Sequence, residues 1–271
     1  MPELAEVEVV KEVLSNSVIN TKIIDIDCFY EAMIEPSYLE FKSKLINKTI
    51  KRIDRLGKYL IFVLEDIAFI SHLRMEGKYF YLPENTEISK HTHVVFHLEN
   101  GYKLAYQDVR KFGRMELKEI EQIYSTLPLS KLGVEANSNS YDVSDILSKI
   151  NKKNLPIKTV LLDQTIISGL GNIYVDEVLF KAKINPHRLA KNISIEDVNN
   201  IMIHSREILN KAILYKGTTI KSYTSSLGVK GGYQDFLNVH TKINCPLCAK
   251  KLNKDKIGGR SSYYCSKCQE G

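Results

Sequence analysis

Four of the five cysteines fall in two Cys-x-x-Cys pairs near the C-terminus, Cys245-Pro-Leu-Cys248 and Cys265-Ser-Lys-Cys268. Each pair aims two sulfurs from one tight turn, and two such turns make the tetrahedral donor set that Zn²⁺ takes. Four thiolates leave no open coordination position, so the expected cofactor is one structural Zn²⁺ with no chemistry of its own. Disulfides are the weaker alternative. The odd count, and Glu3, Glu6 and Glu8 where a secretory leader would be basic, point to a reducing, cytoplasmic setting. Cys28 reads as a buried thiol on a strand.

The remaining sequence divides by hydrophobic period. Residues 3–16 read as a helix with Val7, Val10, Val13 and Leu14 on one stripe. Residues 20–118 alternate as strands, with runs at Ile23-Ile-Asp-Ile-Asp, Tyr59-Leu-Ile-Phe-Val-Leu and His93-Val-Val-Phe-His-Leu and a hairpin signal at Asn100-Gly101. Residues 127–141 read as a linker. Helical signals follow: Asp142 as a cap, Pro156 in a first turn, and Ser194 with Asp197 as a capping box. A Thr-, Ser- and Gly-rich loop then precedes the cysteine hairpin.

The expected fold is α+β: an N-terminal helix and β-sandwich over 1–130, a helical segment over 131–216, a loop over 217–236 and a four-cysteine zinc finger over 237–271. No apolar run approaches the ~20 residues of a membrane span. A formal charge of +6 is moderate, but lysines cluster at 151–158 and around the cysteines. A polyanion-binding strip and a plain solvated surface both fit that clustering.

Met1-Pro2-Glu3 offers chemistry. Removal of Met1 leaves a proline amine, and an α-amine with pKa near 7.7–8.0 is about a tenth unprotonated at neutral pH. A secondary amine that attacks a sugar C1′ gives an iminium that cannot be neutralised by losing a proton, which makes it an electron sink. Glu3 and Glu6 stand beside it at a helix start, where carboxylates are favoured and one can act as general acid. An ordinary helix start fits the same residues.

Taken in order, Met1-Pro-Glu-Leu-Ala-Glu-Val-Glu8, Gly57-Lys58-Tyr-Leu, Ser71-His72-Leu-Arg-Met75-Glu-Gly77, Asp108-Val-Arg110-Lys-Phe112-Gly, Gly169-Leu-Gly-Asn172-Ile-Tyr and the cysteine pairs resemble the formamidopyrimidine-DNA glycosylase family. The resemblance runs end to end. It implies a bifunctional enzyme of base excision repair, a nucleoid-associated monomer acting on double-stranded DNA with oxidised purines or abasic sites. It also implies a helix–two-turn–helix element in the helical segment.

By the same likeness, Pro2 is the Schiff-base nucleophile, Glu3 the proton donor and Glu6 a supporting carboxylate. Lys58 assists β-elimination, and Arg260 grips phosphates and aids δ-elimination. His72, His91, Arg110, Lys153, Lys158 and Asn172 are expected DNA contacts, with Asn172 also readable as a plain N-cap. Met75, Arg110 and Phe112 match the group that fills the space left by an extruded nucleotide. The loop at 217–228 corresponds to a flap over the extruded purine. Ala5 departs from the family's usual Pro, and Glu270 replaces a common basic residue. Two rivals stay open: the sister class acting on oxidised pyrimidines, and a non-enzymatic zinc-ribbon binder.

Overall fold

The structure, a computed structural model, describes residues 2–218 and 231–270. The chain forms two compact units, one from 1–130 with 216–231 and the other from 131–215 with 232–271.

The first unit runs α1 (Leu4–Val18), β1 (Ile23–Cys28), β2 (Ile34–Glu35), α2 (Tyr38–Leu45), β3 (Arg52–Leu56), β4 (Tyr59–Val63), β5 (Ile67–His72), β6 (Lys78–Pro83), β7 (Thr92–Leu98), β8 (Tyr102–Gln107) and β9 (Arg114–Glu119). Its strands make a four-stranded sheet in the order β1-β7-β8-β6 and a five-stranded sheet in the order β2-β9-β5-β4-β3. Alternation along the strands sends one face of each sheet inward. Phe62 and Phe69 lie opposite each other across β4 and β5 and stack at 4.5 Å, while Phe69 also stacks at 5.4 Å on Phe96 of the other sheet. These rings join the two sheets into a sandwich with one core. Asn100-Gly101 closes the β7–β8 hairpin, with Gly101 at φ +78°.

Helix α1 packs on that core through Val7, Val10, Leu14 and Val18, all fully buried. It starts at a capping box, in which the Glu6 side chain reaches back to the Glu3 amide. The stripe differs in detail from the sequence reading: Val13 is only half-buried, and burial extends to Leu4, Ala5 and Val9. The helix runs two residues beyond the expected end because Val18 still reaches the core.

The second unit contains β10 (Val134–Glu135), α3 (Val143–Asn151), α4 (Ile157–Leu161), β11 (Ile167–Ser168), α5 (Asn172–Lys181), α6 (Ile195–Leu214), β12 (Asn253–Ile257) and β13 (Arg260–Tyr264). The caps lie where polar side chains compete for first-turn amides. Asp142 accepts from Ser144 and Asp145, and Ser194 and Asp197 form a reciprocal box. Two details differ from the sequence reading. Val134–Glu135, inside the expected linker, pairs in parallel with Ile167–Ser168, and Pro156 stands at the N-cap of α4 instead of in its first turn. Among the described residues no helix is long and apolar enough to cross a membrane.

The anchoring of α1 is measurable. Leu14→Ala empties a fully buried site, so urea unfolding is expected to show a loss of about 2–5 kcal/mol. A loss below ~1 kcal/mol would show that the helix is not held by this face.

Candidate functional site

Pro2 and Glu3 are buried at the head of α1. The Glu6 carboxylate, 5 % exposed, holds them there. Its Oε2 accepts from the Glu3 amide at 2.9 Å and its Oε1 from the Thr218 amide at 2.8 Å. Gly217 adopts φ +79°, and a side chain there would press on the Glu6 carboxylate. Glu6 is therefore a fastener joining the helix start to the chain entering the 217–236 segment. The rest of the expected flap, residues 219–228, lies outside the described residues.

Lys58 is in a turn. Gly57, at φ +57°, and Lys58 form the two-residue connection between β3 and β4, and Lys58 is 5 % exposed. The turn is tied toward α1: Arg55 Nε donates to Glu8 at 2.5 Å and its Nη1 donates to the Gly57 carbonyl at 2.9 Å. Burial raises the Glu8 pKa, but hydrogen bonds from Lys11 and Arg55 outweigh it and leave the carboxyl below its usual value.

His72 ends β5 with Tyr59 opposite it, the rings packed edge to face at 4.5 Å. Burial, then the charges of Arg74 and Lys58, push its imidazole down to about 3. The ring is neutral, and Nδ1 accepts the Arg74 amide at 2.9 Å. The ring proton therefore sits on Nε2, a neutral donor suited to a phosphate oxygen. Lys58 and His72 are thus brought together, whereas His91 is half-buried on a separate loop, its carbonyl accepting the Asp108 amide.

Met75 lies half-buried in the β5–β6 turn, while Arg110 and Phe112 are exposed in the β8–β9 loop. The Arg110 guanidinium sits 4.7 Å over the Phe112 ring.

In the second unit Arg260 is exposed and opens β13, directly after a Gly258-Gly259 turn with both φ positive, the hairpin turn that glycine favours. Lys153 is exposed after α3, beside a cleft of about 340 Å³ lined with Lys149 and Lys152. Asn172 is the first residue of α5; the cap position belongs to Gly171. Its Nδ2 donates to the Ser261 carbonyl at 2.9 Å.

Lys158 requires a correction. Expected as a phosphate contact, it is 0 % exposed, ion-paired with Asp176 at 2.7 Å and donating to the Ser261 carbonyl at 3.0 Å. Asp176 in turn accepts from the Tyr263 amide and meets His240 Nδ1 at 2.8 Å. Lys158 therefore braces the strand that carries Arg260 and presents no ammonium to solvent.

The four cysteines converge. Their sulfurs lie within 4.8 Å of one another, with Cys245–Cys268 at 3.8 Å and Cys248–Cys265 at 3.6 Å. A tetrahedron with Zn–S bonds of ~2.3 Å has edges of about 3.8 Å, so the donor set fits a tetrahedral ion. No disulfide joins any of the five cysteines. Phe180, Val239 and Leu252 pack beside the cluster.

Comparison with known proteins agrees with this layout. Residues 1–115 match the formamidopyrimidine-DNA glycosylase N-terminal domain, and residues 132–224 match the H2TH domain of the same glycosylases. A formamidopyrimidine-DNA glycosylase of Ligilactobacillus salivarius is 44% identical over 99% of both chains, and one of Streptococcus pneumoniae is 42% identical over 99% of both. The chain belongs to the formamidopyrimidine-DNA glycosylase family. Lactococcus lactis family members are also similar in structure. One, in complex with DNA containing an abasic site, superposes with a TM-score of 0.94 at 38% identity over 100% of both chains. A mutant in complex with Fapy-dG-containing DNA gives the same TM-score, identity and coverage.

Relative to this glycosylase family's motifs, sequence reasoning missed the supports: Glu8 with Arg55, Asp108, and the pair Asp176-Glu177. The Glu177 carboxylate accepts the Asn238, Val239 and His240 amides. A signal was present, since two acids interrupt the apolar run Ile173-Tyr-Val-Asp-Glu-Val-Leu-Phe180, and acids on a buried face need partners.

Two outcomes follow from the geometry. The His72 ring is expected to show no titration by NMR between pH 8 and pH 5, because its pKa is pushed down to about 3; a midpoint near 6.5 would contradict the burial described. Lys158→Ala strands a buried carboxylate and is expected to cost about 3–5 kcal/mol in urea unfolding. Unchanged stability with weakened DNA binding would restore the phosphate-contact reading.

Proposed function

We propose that the protein excises oxidised purines, 8-oxoguanine and formamidopyrimidines, from duplex DNA and then cleaves the abasic strand by β,δ-elimination. The observation that carries this reading is the buried Pro2-Glu3 start of α1, fastened by Glu6. With Met1 removed, a secondary amine would sit beside a carboxyl group in a site that keeps water away.

In this reading the Pro2 nitrogen attacks C1′ as the C1′–N bond to the damaged base breaks and Glu3 supplies a proton. The amine loses its proton, the sugar ring opens, and an iminium joins Pro2 to C1′. Loss of a C2′ proton expels the 3′ phosphate, and a second elimination expels the 5′ phosphate, leaving phosphates on both ends. Lys58, beside neutral His72, assists the first elimination and holds a backbone phosphate. Arg260 grips phosphates with its planar fork and aids the second elimination. Lys153, His91 and the N-terminus of α5 at Asn172 add backbone contacts. Met75, Arg110 and Phe112 occupy the space left by the extruded nucleotide, with Arg110 bonding the orphaned base.

The cysteine cluster holds a structural Zn²⁺ that fixes the hairpin bearing Arg260 and has no part in the chemistry. The relatives' named activity, and the lesion-bearing DNA in the Lactococcus lactis complexes, support the glycosylase assignment.

Borohydride trapping tests it. An 8-oxoguanine duplex is expected to yield a covalent adduct that peptide mapping places on Pro2, faster than a thymine glycol duplex does. Linkage to another residue refutes the mechanism, and faster trapping on thymine glycol refutes the substrate assignment.

A further inference from the structure

Asp108 is a buried acid that the chemistry above does not use. It is 1 % exposed, and its carboxylate is surrounded by backbone amides of one loop. Oδ1 accepts from Arg110 at 3.0 Å, while Oδ2 accepts from Phe112 at 2.9 Å and Gly113 at 2.8 Å. The Asp108 backbone is pinned as well: its amide donates to the His91 carbonyl at 3.0 Å, and its carbonyl meets His93 Nε2 at 2.8 Å. Lys111, between Arg110 and Phe112, is forced to φ +57°, a conformation that costs a non-glycine residue free energy.

This anchoring produces an unusual surface. The backbone of 110–113 turns inward to the carboxylate, so the side chains of Val109, Arg110, Lys111 and Phe112 turn out, leaving the Phe112 ring 47 % exposed. A loop that served packing alone would tuck its aromatic ring in.

Tyr106, fully buried at the end of β8, links this loop to the Met75 turn. Its hydroxyl lies against both Gly77 and Gly113, where any side chain would collide with it. One tyrosine therefore fits between the two segments that carry the proposed wedge.

We infer that Asp108 is a positioning residue that, with Tyr106 as spacer, presets the Met75–Arg110–Phe112 wedge before DNA arrives. This rests on the wedge role proposed above. Preorganisation means that inserting the wedge carries little loop-ordering cost at the moment of nucleotide extrusion.

The test compares Asp108→Asn, Phe112→Ala and the unaltered protein on two substrates. One is an 8-oxoguanine duplex, which requires extrusion. The other is an abasic site in single-stranded DNA, which requires Pro2 chemistry and no wedge. Asparagine turns an N–H₂ toward amides that need an acceptor, so Asp108→Asn is expected to slow duplex excision about tenfold or more, yet leave single-strand cleavage within about twofold. Phe112→Ala, which removes the wedge ring itself, is expected to slow duplex excision by a similar factor.

Equal slowing on both substrates, or none on either, overturns the positioning role. Normal duplex excision by Phe112→Ala overturns the wedge reading itself, which distinguishes the two failures. Should Asp108→Asn not fold, hydrogen exchange on the unaltered, DNA-free protein decides. Protected Arg110, Phe112 and Gly113 amides support a preset loop, and exchange at unprotected rates overturns it.

Discussion

Glu6 sits almost fully buried with both carboxylate oxygens accepting backbone amides, one at the first turn of its own helix and one more than two hundred residues away at Thr218. A carboxylate withdrawn from water is costly unless its lone pairs are filled, and backbone N–H groups fill them without flexible side chains. The start of α1 cannot drift without stranding that charge, so Pro2 and Glu3 inherit a fixed position. Loss of this contact would leave Pro2 on a frayed helix end, without the orientation its proposed role requires.

The same device recurs. Asp108 gathers three amides of the β8–β9 loop, Glu177 gathers those of Asn238, Val239 and His240, and Asp176 joins Lys158 to the Tyr263 amide. Asp108 and Glu177 each hold an irregular segment by its backbone amides, and Asp176 ties α4 to β13. Side chains with proposed roles, such as Phe112 and Arg260, can then remain exposed while their backbone is held. The burden of order falls on residues that do not touch substrate in the proposed reaction.

Lys158 shows how burial overrides composition. In a run of lysines and asparagines it reads as one more surface cation, yet 0 % of it is exposed, because Asp176 and the Ser261 carbonyl satisfy its ammonium. Lys153, five residues earlier, is exposed as the run suggests. Nothing within 151–158 distinguishes the two; the distinction comes from Asp176, eighteen residues away. Lys58, in the β3–β4 turn, is likewise buried although it is a lysine in a connection between strands.

By itself the sequence determined the periodic and the local. The apolar stripe specified α1, alternation specified the strands, Asp142, Ser194 and Asp197 marked helix starts, Asn100-Gly101 marked a hairpin, and the cysteine spacing marked the four-sulfur cluster. Its motifs also carried the family. Only the tertiary structure decided which polar residues are inside and what they hold: Glu6 on Thr218, Arg55 on Glu8, Asp108 beneath the exposed loop, Lys158 with Asp176. Period and capping act over one or two turns of chain, so they are written locally. A buried charge is satisfied by whichever group the fold brings to it, and that partner is fixed in space, not by its distance along the sequence.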